Sequence, residues 1–172
     1  MDAAHFVLQP FLGFVWCFSR IFIKAPSGRQ RFNVLGALHA ITHQLITITN
    51  DDYINASSVA QLLYKIREAF PDGPITLVMD NARYQYCRLV MGLADSLDIE
   101  LLFLPPYSPN LNLIERLWKF VKKECLYTKY YASFSAFKEA ISSCLAETQG
   151  CHKQKLDSLL TLKFQTFENI TS

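Results

Sequence analysis

The sequence predicts an α/β fold in which helices cover a mixed β-sheet. Strand-like stretches, rich in β-branched and apolar residues, occupy much of the first 50 positions, and a strand, a helix and a second strand then follow in order. The composition agrees, because 51% apolar and 19% charged residues over 172 positions suit one packed domain. It excludes a disordered or solvating chain.

The first part of the chain is expected to form antiparallel strands followed by a helix. Residues 31–40 and 44–50 are strand-like, and Thr42 and His43 between them indicate a hairpin turn. Residues 2–8 are expected to add another strand. Residues 57–70 place apolar side chains at helical spacing, with Ser57 or Ser58 as N-cap.

The middle of the chain predicts a parallel crossover. Residues 75–79 and 99–104 are short, continuous apolar runs, typical of strands that are buried on both faces. Residues 82–97 between them have a helical apolar stripe, so the two strands are expected to be parallel. Pro105 and Pro106 end the second strand.

Two further helices are predicted in the C-terminal part. The first has Ser108 as N-cap and Pro109 as first residue, and its apolar stripe continues to Cys125. The second covers about residues 133–148. We expect one domain over residues 1–150 and a C-terminal tail at 151–172 that packs on it or trails from it.

The net charge of +2 is the sum of three unlike segments. It is +3 over residues 1–49, −5 over 50–115 and +4 over 116–172. Basic segments offer phosphate contacts and clustered carboxylates bind divalent metal, so the pattern is compatible with a metal-dependent enzyme that acts on nucleic acid. Ordinary solvated surfaces produce the same pattern, so charge alone does not decide between the two.

Two acids stand out by position. Asp80 ends a predicted buried strand, where open α/β sheets bind ligands, although capping the next helix would explain it as well. Glu115 lies beside the apolar stripe of a predicted helix, where a shielded carboxylate needs a partner or a cation. Lys119, four residues on, offers an ion pair as the purely structural explanation.

The segments MDNAR at 79–83 and LPPYSPNLNLIERLW at 104–118 resemble the DDE transposases of the mariner superfamily, in particular its bacterial insertion-sequence branch. The resemblance includes the 34 residues between Asp80 and Glu115 and covers about residues 1–150. Asn110 and Leu113 depart from the usual motif, and Gln85 stands where family members often have His. None of these departures removes an acidic residue.

The resemblance implies a ribonuclease H-like fold with a five-stranded mixed sheet. It also implies that Asp2, Asp80 and Glu115 are catalytic and hold two Mg²⁺ or Mn²⁺ ions. Asp51 and Asp52 are rivals to Asp2, but their place between a strand and a helix cap favours a turn.

Weaker expectations concern the surroundings of the three acids. Asn81 and Asn112 are expected to support them, although both could serve local caps. His5 could approach the metal centre, but a structural role is the simpler explanation. The candidate DNA contacts are Arg20, Lys24, Arg29, Arg31, Arg83, Tyr107, Arg116, Lys119, Lys122 and Lys123.

The expected function is metal-dependent cleavage of DNA at insertion-sequence ends and transfer of those ends to target DNA. Expected partners are transposon-end and target DNA and a second copy or a full-length transposase. A cytoplasmic, nucleoid-associated location without a membrane span is expected.

The alternative is an inactive transposase fragment that binds nucleic acid weakly or pairs with active enzyme. The motivation is the position of Asp2 as the second residue of the given sequence. In the family, the first strand begins several residues before its catalytic Asp and follows a helix-turn-helix region. A host nuclease or resolvase of the same fold is disfavoured by the motif at 104–118.

Overall fold

The computed structural model describes residues 1–8, 18, 30–106, 108–127 and 129–164. Its strands and longer helices, in chain order, are β1 (Asp2–Leu8), β2 (Gln30–Leu38), β3 (Leu45–Asn50), α1 (Ala56–Ala69), β4 (Ile75–Met79), α2 (Arg88–Ser96), β5 (Ile99–Phe103), α3 (Ile114–Cys125), α4 (Phe134–Ala146) and α5 (Lys153–Leu159). Short 3₁₀ turns lie at Pro109–Leu111 and Glu147–Gln149. Within the described residues, no helix is long and apolar enough to cross a bilayer.

The strands form two hydrogen-bonded groups. β1, β2 and β3 are antiparallel in that order, with Asp2 opposite Gly36, and β4 and β5 form a parallel pair. The α-amino nitrogen of Met1 donates to the carbonyl of Val78 over 2.6 Å, which brings the start of β1 beside the end of β4. The expected five strands are therefore present, and this hydrogen bond and a core cluster shared by Leu35 and Met79 link the two groups.

Helices pack on both faces of the strands. One core cluster joins β1 and β2 to α3, α4 and α5 through side chains such as Phe6, Trp118 and Phe137. The other joins the opposite face to α1 and α2 through side chains such as Leu35 and Leu62. This alternation follows from the period of two along a strand, which sends successive side chains to opposite faces.

Three predicted helix starts are wrong, each because a polar side chain or a turn competes with the helix. Helix α1 begins after Asn55, which forms a capping box with Ser58, rather than after Ser57 or Ser58. Helix α2 begins at Arg88 and not at residue 82, because turns occupy the intervening residues and Asp80 Oδ1 accepts from the Ala82 N–H. The helix expected at Pro109 is a 3₁₀ turn, and α3 begins at Ile114.

Candidate active site

Three acidic side chains from distant parts of the sequence line one cavity of about 260 Å³. Asp2 is the first residue of β1, Asp80 directly follows β4, and Glu115 lies in the first turn of α3. The rest of the wall is formed by Asn81, Ala82, Leu104, Pro105, Pro106, Ser108 and Asn112. The structure thus brings together the three acids that the sequence analysis singled out, and five residues of the 104–112 segment border them.

Backbone contacts at the ends of the central strands place these acids. The Met1 contact with Val78 sets Asp2 beside the end of β4, and the Leu104 N–H donates to the Met79 carbonyl over 2.9 Å. The Asn81 side chain donates to the Leu104 carbonyl over 2.6 Å. Asn81 therefore ties the segment after β4 to the segment after β5, and both segments line the cavity.

Asn112 holds the start of β1. Its buried side-chain amide donates to the Met1 carbonyl over 3.0 Å, and its own carbonyl accepts from the Glu115 N–H over 3.2 Å. Asn112 thus connects the residue before Asp2 to the first turn of α3. Among the described contacts, Asn112 reaches Glu115 through backbone atoms and reaches Asp2 only through the neighbouring Met1 carbonyl.

Trp118 is a residue whose contact with the site the sequence analysis missed. Its indole Nε1 donates to Asp2 Oδ2 over 3.0 Å, and the indole is fully buried. A Cβ at Gly36 would lie 2.9 Å from the Trp118 ring, so only glycine lets the indole approach β2 here. The position of Trp118 three residues after Glu115 was the available signal, because i and i+3 share a helix face.

The site carries excess negative charge. Burial, followed by the nearby Glu115 and Asp80 carboxylates, raises the pKa of Asp2 from 3.8 to about 6. Burial also lowers the pKa of the Met1 amino group to about 6. The pKa of Tyr84 is raised by burial and, to a smaller degree, by the charges of Asp80 and Asp2. A cation between the carboxylates would relieve this repulsion.

The donor set fits a hard divalent cation. Carboxylate oxygens are the ligands that Mg²⁺ and Mn²⁺ prefer, and three of them face one cavity. In the part of the chain that is described, no three His, Cys, Asp or Glu side chains already stand at metal-binding separation. The acids therefore converge on a common space without forming a closed ligand cage.

Three other candidates from the sequence do not line this cavity, namely Asp51, Asp52 and His5. The Asp51 carboxylate accepts from Lys138 Nζ over 2.7 Å, and the Asp52 carbonyl accepts from Asn33. His5 Nδ1 contacts Asn33 Oδ1 over 2.6 Å. These residues belong to the turn after β3 and its connection to the sheet.

The predicted DNA contacts are scattered. Arg20, Lys24, Arg29 and Tyr107 lie outside the described residues. Arg31 on β2, Arg83 after Asp80, and Lys119 and Lys123 on α3 are exposed, whereas Lys122 is half-buried. The guanidinium of Arg116 instead contacts the C-terminal segment.

A carboxylate-lined cavity at the ends of the central strands of an α/β sheet suits a metal-dependent nuclease, and comparisons with known proteins show a nuclease-type enzyme with a ribonuclease H-like fold. The chain matches the model of the family described as "DDE superfamily endonuclease" over residues 19–138. It therefore belongs to the DDE superfamily of endonucleases, which confirms both the predicted fold class and the resemblance drawn from the motifs.

Solved structures show the same fold. The Mos1 transposase paired-end complex with the left transposon end is 16% identical with a TM-score of 0.61, and the match covers 97% of this chain and 55% of that one. The catalytic core domain of BIV integrase is 16% identical with a TM-score of 0.52, covering 76% of this chain and 88% of that one. The structure of the Mos1 catalytic domain and raltegravir with Mn is 17% identical with a TM-score of 0.53, covering 81% and 78%.

A curated relative is less informative. It is the uncharacterized protein y4pE/y4sA of Sinorhizobium fredii (strain NBRC 101917 / NGR234), 27% identical over 95 residues, or 55% of this chain and 66% of the relative. The chain thus spans 66% of the length of this relative and about half of the Mos1 chain in the paired-end complex.

Proposed function

We propose that the chain is the catalytic domain of a DDE transposase that cleaves DNA at insertion-sequence ends and joins those ends to target DNA. The observation that carries the proposal is the convergence of Asp2, Asp80 and Glu115 on one cavity. The Mos1 structures, one of them with transposon-end DNA and one with Mn, support the substrate class and the use of a divalent metal.

Asp2, Asp80 and Glu115 would hold two Mg²⁺ or Mn²⁺ ions, which supply Lewis acidity at both the attacking and the leaving oxygen when bound. In cleavage, water attacks phosphorus and the P–O3′ bond breaks, which leaves a 3′-hydroxyl and a 5′-phosphate. In transfer, that 3′-hydroxyl gives up its proton and attacks a target phosphorus, and the target P–O3′ bond breaks, which frees a 3′-hydroxyl on the target strand. The protein's own task is to orient the carboxylates, and for Asp2 the Trp118 indole does so directly while Asn112 holds the preceding Met1 carbonyl.

The lysine-bearing side of α3 is a proposed DNA contact. Lys119, Lys122 and Lys123 follow Glu115 by four, seven and eight residues, so they continue along the face on which Glu115 lies. The DNA backbone would therefore leave the cavity along α3. As a domain that acts on DNA, it would work at the nucleoid in the cytoplasm.

Catalysis is tested by nicking of supercoiled plasmid in Mn²⁺ or Mg²⁺ and by joining of oligonucleotides that carry candidate terminal repeats. Asp80→Asn and Glu115→Gln should abolish both reactions and leave DNA affinity nearly unchanged. Asp72→Asn, which alters an exposed acid away from the cavity, is the matched control and should retain activity. DNA binding by the unaltered chain without nicking or joining would refute the proposal and support the inactive-fragment alternative.

The DNA path is tested by the salt dependence of binding. Because each phosphate contact contributes about −0.9 to the slope of log K against log salt, Lys119→Ala with Lys123→Ala should flatten the slope by about 2. Lys153→Ala, an exposed lysine on α5, should leave the slope unchanged. Equal slopes in all three proteins would remove α3 from the DNA interface.

A further inference from the structure

Arg116, next to Glu115, was expected to contact phosphate, but its guanidinium is bound to the C-terminal segment. Nη1 donates to the carbonyls of Leu159 over 3.3 Å and of Thr161 over 2.6 Å, and Nη2 donates to the carbonyl of Lys163 over 2.8 Å. The guanidinium carbon lies 5.2 Å from the centre of the Phe164 ring. We call residues 159–164 the C-terminal strap.

The strap is also fixed at its beginning. Leu160 is buried in the same core as Trp118, and its carbonyl lies 3.1 Å from His43 Nε2 in the turn between β2 and β3. His43 Nδ1 contacts the Asp157 carboxylate over 2.8 Å. Arg116 therefore joins α3 to a strap that the sheet already holds in place.

The first turn of α3 is held on its buried side by Ile114 and Leu117, and Arg116 adds a contact from its partly exposed side. No side chain caps the helix at Leu113, and the N–H groups of Glu115 and Arg116 donate only to carbonyls of the preceding turn, those of Asn112 and Leu113. Glu115 lies in that turn. Because one guanidinium reaches carbonyls of three alternate strap residues, Arg116 fixes the rotation of the turn about the helix axis more firmly than a single bond would.

We propose that Arg116 is a positioning residue: it anchors the first turn of α3 to the C-terminal strap and thereby orients the Glu115 carboxylate toward the cavity. The effect on cleavage rests on the proposed function, since it requires Glu115 to hold metal. The anchoring itself does not. A phosphate contact by Arg116 would require the guanidinium to leave the strap carbonyls and the Phe164 ring.

The first test is hydrogen exchange measured by mass spectrometry on the whole chain without DNA or metal. Arg116→Ala should speed exchange both in the strap and in residues 112–118. Arg116→Lys should do the same, because an ammonium cannot reproduce the planar fork of donors. If Arg116→Ala fails to fold, Phe164→Ala is the milder variant, because it removes only the ring that packs against the guanidinium. It should also speed exchange in the strap. Lys119→Ala is the matched control and should leave exchange in the strap unchanged.

The second test separates positioning from DNA binding. Arg116→Lys should raise the Mn²⁺ concentration for half-maximal nicking by about 10-fold, as loss of support to a metal ligand typically does, with unchanged DNA affinity and salt slope. Unchanged exchange in both segments, or a salt slope flattened by about 1 in Arg116→Ala, would overturn the proposal. If the unaltered chain does not nick DNA, the proposed function fails and hydrogen exchange still decides the anchoring.

Discussion

Asp2→Asn should stabilise the metal-free protein at neutral and alkaline pH. The substitution keeps the side-chain volume and leaves an oxygen to accept from Trp118 Nε1, but it removes the buried charge. The pKa of Asp2 is about 6 in the folded protein and 3.8 as the ordinary value. At a pH above both values, this difference lowers the free energy of unfolding by about 3 kcal/mol. We therefore expect Asp2→Asn to raise the free energy of unfolding by about 3 kcal/mol at pH 8.

The sign depends on pH. Because the folded pKa of Asp2 is raised, the wild-type carboxylate binds its proton more tightly when folded, so stability falls as pH rises from about 4 through 6. The advantage of Asp2→Asn should thus vanish near pH 4 and reach its maximum above pH 7.

The assay is urea unfolding in EDTA at a series of pH values, repeated with Mg²⁺. The metal should stabilise the wild-type protein and leave Asp2→Asn nearly unaffected, because a cation relieves the same repulsion that the substitution removes. Asp72→Asn is the exposed control. A variant less stable than wild type at pH 8, or a difference independent of pH, would refute the account of Asp2 electrostatics.

Three further substitutions test the support of the site. Gly36→Ala should lower the unfolding free energy by about 1–3 kcal/mol in thermal melts and reduce nicking, because the new Cβ meets the Trp118 ring. Gly92→Ala is the control, and with open space around its Cβ it should be neutral or stabilising in the same melts. Trp118→Phe should destabilise the fold by about 1–3 kcal/mol in urea unfolding, since Asp2 Oδ2 loses its indole donor, and an unchanged value would mean that water replaces it. Asn55→Ala removes the capping box of α1 and should cost about 1 kcal/mol while nicking is retained; a loss of nicking without unfolding would tie α1 to the site.

Local sequence patterns were sufficient for the strands, whereas the choice of acids came from the motifs and the resemblance that they carry. Residues 2–8 and 75–79 form the predicted strands because their apolar and β-branched side chains suit positions buried in the sheet. Asp80 and Glu115 face the same cavity because a strand end and a first helical turn meet at that edge. These placements follow from short-range periodicity and from the motifs.

Contacts between residues far apart in the sequence could not be predicted from local patterns. The role of Arg116 depends on carbonyls of residues 159, 161 and 163, which no local pattern connects to α3. The late start of α2 depends on turns that bury Gln85, which helical periodicity alone does not predict. In each case the partner is set by tertiary packing.

The hydrogen bond between Trp118 and Asp2 joins residues that are 116 positions apart in sequence. Translation at 5–20 residues per second separates their synthesis by roughly 6 to 23 s. For most of that interval the growing chain has Asp2 without Glu115, which is made only three residues before the indole that holds Asp2. On the proposed role of the three acids, the newly made chain would thus be unable to cut DNA until most of the domain had left the ribosome, a delay that comes from the chain order of the site alone.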